Sequence, residues 1–194
     1  MSTNKDENVK LSLPVSGRDH IQGLNTAAVT LIEYGDYECP YCAQAYLITK
    51  EIQERMGSKL RFVFRNYPLT KVRPNAYRVA LAAETAAGQN KFWEMHDYLF
   101  KHGQVLTEDS LKETAAKLGL DIDKFNREFH DGTYSNHLDE DIKSGNDSGV
   151  SKTPTFFIND DRYNGPWDLD SLLNALDEES VFSWKQDNDA NSTR

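Results

Sequence analysis

The stretch Val29-Thr30-Leu31-Ile32-Glu33-Tyr34-Gly35-Asp36-Tyr37-Glu38-Cys39-Pro40-Tyr41-Cys42 changes character half-way. Its first six residues are β-branched, aromatic and apolar on both faces, which suits a central strand buried on both sides. Its last four open a helix. Pro40 has the fixed φ and missing N–H that the first helical position tolerates, the helical pattern runs on to about Met56, and Gly57 is a natural stop. Cys39 then stands at the N-cap and Cys42 one turn in. Residues three apart share a helix face, so the two sulfurs can meet. The unpaired N–H groups and positive end of the helix favour a thiolate on Cys39. A thiolate is the nucleophile of thiol–disulfide exchange, and Cys42, lying deeper, would resolve the mixed disulfide. Such a switch needs no bound cofactor.

Outward from there, Leu60 to Asn66 alternates like a strand, so the front of the chain reads strand, helix, strand, the unit of a parallel pairing. The middle is helical. Segments are expected from Pro74 to Gly88, from Lys91 to about Lys101 with a stop near Gly103, from the N-cap Thr107 to Gly119, over Ile122 to His130, and from Ser135 to about Lys143. Strands return with Thr155 to Asn159, a turn at Asp160-Asp161 and a partner beginning at Arg162. Asp168 then caps a helix carrying Leu169, Leu172, Leu173 and Leu176 on one face. The order is βαβ, a helical block, then ββα: an α/β protein. Residues 1–10 and 181–194 read as loose tails, although Phe182 and Trp184 could dock on the body. Trp93, Met95, Tyr98, Leu99 and Phe100 have the spacing of helix core positions. His20 and His96 read as hydrogen-bonded structural residues, Lys71, Arg73 and Arg78 as a solvated basic face, and Asp36 and Glu38 as exposed loop acids.

Among 194 residues, 38% are hydrophobic and 11% aromatic, enough for a packed core; the net charge is -9. That charge supplies no attraction for nucleic acid or an anionic membrane, and no apolar run approaches a membrane span. The polar start, Met1 to Asn8, does not resemble a secretory signal. This points to the cytoplasm, or to the periplasm if the sequence is a mature form. The two cysteines both lie in one C-x-x-C, which suits local chemistry better than a stapled scaffold. Half a zinc site is the competing reading, but His96 with His102, or His130 with His137, lie far downstream at unsuitable spacing; no metal is expected.

Three motifs together resemble the DsbA-like branch of the thioredoxin superfamily: the stretch quoted first, Lys91-Phe92-Trp93-Glu94-Met95-His96-Asp97-Tyr98-Leu99-Phe100, and Gly149-Val150-Ser151-Lys152-Thr153-Pro154-Thr155-Phe156. Asp19-His20 with Gly23 also matches, and the likeness covers about residues 14 to 178. It implies a thioredoxin-like core in two halves, 14–73 and 148–180, around an all-helical insertion, 74–147. It also implies that Glu33, six residues before Cys39, is the buried acid that helps move the proton of the inner cysteine. The strand pattern agrees, because a carboxyl there is desolvated and its pKa rises. Pro154 would be a cis-proline facing the redox pair, with Thr153 offering backbone N–H and C=O to an extended substrate. Pro40 and Tyr41 would tune the couple and touch substrate. Strongly oxidising members have His where Tyr41 stands, so a less depressed Cys39 pKa and a less oxidising couple are expected. Members often have Gly where this chain has Lys152.

The function implied is a protein-disulfide oxidoreductase acting on protein or peptide disulfides and reset by glutathione or a thioredoxin-type system. Two alternatives share the fold. One is a glutathione-dependent transferase or isomerase, whose members usually lack the paired cysteines. The other is a non-catalytic redox-binding module of the kind found beside sodium/proton antiporters.

Overall fold

Strand β2 (Val29–Gly35) is buried at every position because it has neighbours along both edges. Strand β3 (Leu60–Asn66) runs parallel to it, with Leu31 opposite Phe62 and Glu33 opposite Phe64. Strand β4 (Thr155–Ile158) runs antiparallel on the other edge, with Glu33 opposite Phe156. Two short strands, β1 (His20–Gln22) beside β3 and β5 (Asp161–Arg162) beside β4, complete the sheet in the order β1-β3-β2-β4-β5. The structure, a computed structural model, describes residues 9–102 and 106–192, with side chains to 182.

The parallel β2–β3 pair needs a crossover, and α1 (Pro40–Met56) provides it. Helices α2 (Ala76–Ala87), α3 (Phe92–His102), α4 (Glu108–Lys117), α5 (Ile122–His130) and α6 (Ser135–Asp147) all fall between β3 and β4, as the helical block anticipates. Thr107 caps α4 by accepting from the Ser110 N–H, and Asp121 caps α5 in the same way from Lys124. The last helix, α7 (Leu169–Ser192), opens with Asp168 accepting from the Ser171 N–H. Leu31, Phe62, Phe64 and Phe156 line one sheet face with α1, α2, α3 and α7 residues such as Ile52, Val79, Leu99 and Leu176. Ile32, Tyr34, Val63 and Phe157 line the other, under Leu11, Tyr67 and Val150. Among the described residues no helix is long and apolar enough to cross a membrane.

Several expectations need correction. The segment 181–194 is not loose throughout, because α7 continues to Ser192. Between Leu169 and Ser192 no Gly or Pro interrupts it, and extending an existing helix fixes one residue per added hydrogen bond. Phe182 does not dock; it is 58% exposed. The side chain of Trp184 and residues 193–194 lie outside the described residues. So do residues 1–8, but Val9 and Lys10 are held at the β5 edge, where the Val9 carbonyl accepts from the Arg162 N–H and Lys10 bridges to Asp161. The expected stop near Gly103 also falls outside. The β4–β5 hairpin is shifted by one residue. Asn159, at φ +54°, and Asp160 make the turn, so Asp161 is already strand. Strand β1 is too short to show an alternation. Helix α6 runs past Lys143 because Gly145 belongs inside it, where a Cβ would lie 2.6 Å from the Tyr67 ring.

Candidate functional site

Cys39 is the N-cap of α1, at φ -85° and ψ 120°, with Pro40 following at the first helical position. A cap residue normally offers an oxygen to the first-turn N–H groups. Cysteine offers none, so those groups are left to the sulfur. The Cys39 thiol donates to the Thr153 carbonyl at 3.4 Å, which brings the loop before β4 against the start of α1. The Thr153–Pro154 peptide bond is cis. Cys42 is fully buried one turn in, and its sulfur accepts from the Asp36 N–H at 3.5 Å. Both cysteines are free thiols.

The two sulfurs ionise very differently. The Cys39 pKa is lowered to about 5, chiefly by the Cys42 thiol hydrogen-bonding to it, with help from Thr153 and the backbone N–H groups of Cys42 and Tyr41 against opposition from burial. The Thr153 carbonyl can accept only from a thiol, so it cannot favour the thiolate. The Thr153 Oγ1 is buried and has no partner, and its hydroxyl is the group that can turn to an ionised sulfur. Cys42 is pushed far above its ordinary range, first by burial and then by donating a hydrogen bond to Cys39. One thiol is thus ready to attack, while the other needs its proton removed.

Glu33 lies on the same sheet face, between its register partners Phe64 and Phe156. It is 1% exposed, and its Oε1 has no hydrogen-bond partner. Burial, and then the negative charge of Cys39, raise its pKa to about 8. Gly35 keeps this space open: a Cβ there would lie 2.4 Å from the Phe64 ring and 3.3 Å from Glu33 Oε1. A groove of about 420 Å³ lined by Tyr37, Pro40, Ala43, Phe100 and Lys101 opens at Cys39. A smaller one, about 100 Å³, lies past Pro154 and is lined by Lys152, Arg162, Tyr163 and Trp167. Tyr41 is 61% exposed, and Lys152 is exposed beside Thr153.

A model of the family described as thioredoxin matches residues 15–178. The chain belongs to the thioredoxin family. Its fold is like that of solved DsbA-type structures. It superposes on oxidised BdbD from Bacillus subtilis with a TM-score of 0.77 at 23% identity, over 87% of this chain and 96% of that one. For alpha-DsbA1 of Wolbachia pipientis the TM-score is also 0.77, at 21% identity, over 90% and 96%. Sequence relatives are of another kind. A protein named Na(+)/H(+) antiporter NhaA 3, from Salinispora tropica, is 41% identical over 169 residues, which cover 87% of this chain and 26% of that protein. A namesake from Mycolicibacterium vanbaalenii, NhaA 1, is 37% identical over 172 residues and 28% of its length. The chain spans only about a quarter of the curated relatives it matches.

This thioredoxin-family site contains two groups that the sequence reading misplaced. Asp36 is not an exposed loop acid. It is 2% exposed and accepts from the Glu38 and Leu69 N–H groups at 2.9 Å and from Arg73 Nε at 3.0 Å, while its own N–H reaches Cys42. Arg73 is therefore tied to the site and does not belong to a solvated face. An aspartate that bonds the backbone two residues on is a common turn device, and Asp36 two before Glu38 carried that signal. His96 is buried, as a structural residue would be; its Nδ1 bonds the Tyr37 hydroxyl at 3.2 Å and so steadies a wall of the larger groove.

Proposed function

We propose that the protein is a dithiol–disulfide oxidoreductase acting on protein or peptide disulfides, with Cys39 as nucleophile and Cys42 as resolving cysteine. Membership of the thioredoxin family supports thiol–disulfide exchange in general. The observation that carries the finer reading is the opposed ionisation of two sulfurs one helical turn apart, with an unpartnered carboxyl on the face behind them.

In the reductive direction the Cys39 thiolate attacks one sulfur of the substrate disulfide. That S–S bond breaks, a mixed disulfide forms, and the departing sulfur takes a proton. Removing the Cys39 charge also removes one of the two causes that hold Glu33 high. Its carboxylate fraction rises at the moment a base is needed. Glu33 accepts the Cys42 proton, and Cys42 attacks the Cys39 sulfur, closing the Cys39–Cys42 disulfide and releasing the second substrate thiol. A dithiol donor such as a thioredoxin-type protein, or two glutathione molecules, restores the pair. Run backwards, the steps oxidise a substrate dithiol. Direction follows the potential of the couple against its compartment: reductase in a reducing cytosol, oxidant in an oxidising envelope.

Thr153, beside Cys39, offers its main chain to an extended peptide as an added strand would. Pro154, Pro40 and the exposed Tyr41 supply the apolar surround. Tyr41 adds no charge to the thiolate, which fits a couple less oxidising than that of the strongest oxidants; a redox titration in glutathione buffers measures it. The direct test is insulin reduction with dithiothreitol. Wild type is expected to accelerate it and Cys39→Ser to abolish the acceleration; equal rates would remove the proposal. The likeness to stretches of proteins named sodium/proton antiporters favours one second reading, a redox module that binds beside a transporter without turnover. Multiple turnovers by the isolated chain would decide against it.

A further inference from the structure

Outside the redox site, three side chains from three elements converge: His20 of β1, Glu84 of α2 and His137 of α6. Their ligand atoms all lie within 4.8 Å of one another. Glu84 is 2% exposed; its two oxygens face His20 Nε2 at 3.1 and 3.0 Å, and Oε2 faces His137 Nδ1 at 2.7 Å. Asn66 Nδ2 donates to Oε1 at 2.6 Å and fixes the carboxylate plane. The other ring nitrogen of His137, Nε2, lies 2.9 Å from the Arg18 carbonyl, which can only accept. That contact places a proton on Nε2. His137 Nδ1 therefore faces a carboxylate oxygen at 2.7 Å, a contact that either a proton on Nδ1 or a metal ion bridges.

We propose that this cluster is a binding site for a divalent first-row ion of the zinc type, held by His20 Nε2, a Glu84 oxygen and His137 Nδ1. Two imidazoles and one carboxylate are a donor set zinc accepts, with a water in the fourth position. Zinc bonds of about 2.0–2.2 Å hold neighbouring donors about 3.3 Å apart, so the observed contacts need to open by only a few tenths of an ångström. The outer contacts are in place: the Arg18 carbonyl on His137 and Asn66 on Glu84 are the kind that orient metal ligands. Phe92 stacks on the His20 ring at 3.4 Å between centroids and holds its plane. The His20 and His137 side chains remain 14% and 23% exposed, leaving a way in for the ion and its water. The nearby Arg18 guanidinium is already engaged by Asp19, Glu140 and Asp141. A bound ion would staple α2 and α6 to the sheet edge at β1.

The test uses the full chain oxidised to the Cys39–Cys42 disulfide, so that neither sulfur can ligate. Titration with zinc followed by calorimetry is expected to show one ion per chain. His20→Ala and His137→Ala are each expected to weaken binding by at least about tenfold, with circular dichroism confirming that the variants fold. Cobalt added to the oxidised wild type should give the visible band of a low-coordinate N/O site, a readout that needs no variant. Absence of zinc binding by the oxidised protein, or binding unchanged in both variants, overturns the proposal and leaves a proton as the cation between Glu84 and His137.

Discussion

Two glutamates in this molecule are equally hidden and behave in opposite ways. Glu33 is 1% exposed and Glu84 is 2% exposed. Glu33 stands between two phenylalanines with an unpartnered oxygen, and its pKa rises to about 8. Glu84 resists the same upward push from burial because His137 and His20 hydrogen-bond to it and lend positive charge, and its pKa falls to about 2. Burial alone thus does not decide the state of a carboxyl; the donors around it do. A carboxyl left without donors can take up and release a proton near neutrality. One surrounded by donors is a fixed anion that holds segments together.

The largest expected effect is on the paired member. Glu84→Ala strips the partner from two imidazoles and an amide, and should destabilise the fold by about 3–5 kcal/mol in urea unfolding. A loss as small as that of a surface substitution would break the comparison. Next comes Glu33→Gln. Between the ordinary 4.5 and about 8 the unfolded chain has released a proton that the folded chain still holds, so wild-type stability falls with rising pH across that window. The variant, which has no proton to lose, should match wild type near pH 4 and exceed it by a few kcal/mol at pH 9, about 1.4 kcal/mol for each unit by which the folded-state pKa is raised. The same variant should slow closure of the Cys39–Cys42 disulfide from a mixed disulfide, measured by stopped flow, without slowing the first attack.

Asp36 lies between the two cases, paired yet next to the redox site. Asp36→Asn weakens the Arg73 contact and should cost about 2 kcal/mol of stability. The smallest effect sharpens the electrostatics of the sulfurs themselves. Cys39 thiolate absorbance should titrate near 5 in the reduced wild type. Cys42→Ala removes the first cause of that lowering and should raise the midpoint by about one unit, some 1.4 kcal/mol.

The two regions also differed in how far they could be read in advance. Glu33, Cys39 and Cys42 lie within ten residues on one strand and one helical turn. Spacing and Pro40 were enough to place the two cysteines on one helix face, the resemblance supplied the role of Glu33 with its strand position in agreement, and the helix boundaries of α2, α4 and α5 followed from caps and glycines in the same local way. The β1 strand was hidden by its three-residue length, the end of α7 by polar residues whose helical state depends on an established helix before them, and the burial of Asp36 by its position among loop residues. His20, Glu84 and His137 are more than fifty residues apart from one to the next, and no spacing rule joins them.

The amino-acid order alone determined the α/β class, the helical block between β3 and β4, and the pairing of two cysteines at a helix start, because each of these depends on contacts within a few turns of chain. Tertiary structure alone decided that Asp36 is buried against Arg73 and that two histidines and a glutamate converge. Those facts depend on segments packed together from distant parts of the chain, and local periodicity carries no record of which distant segments meet.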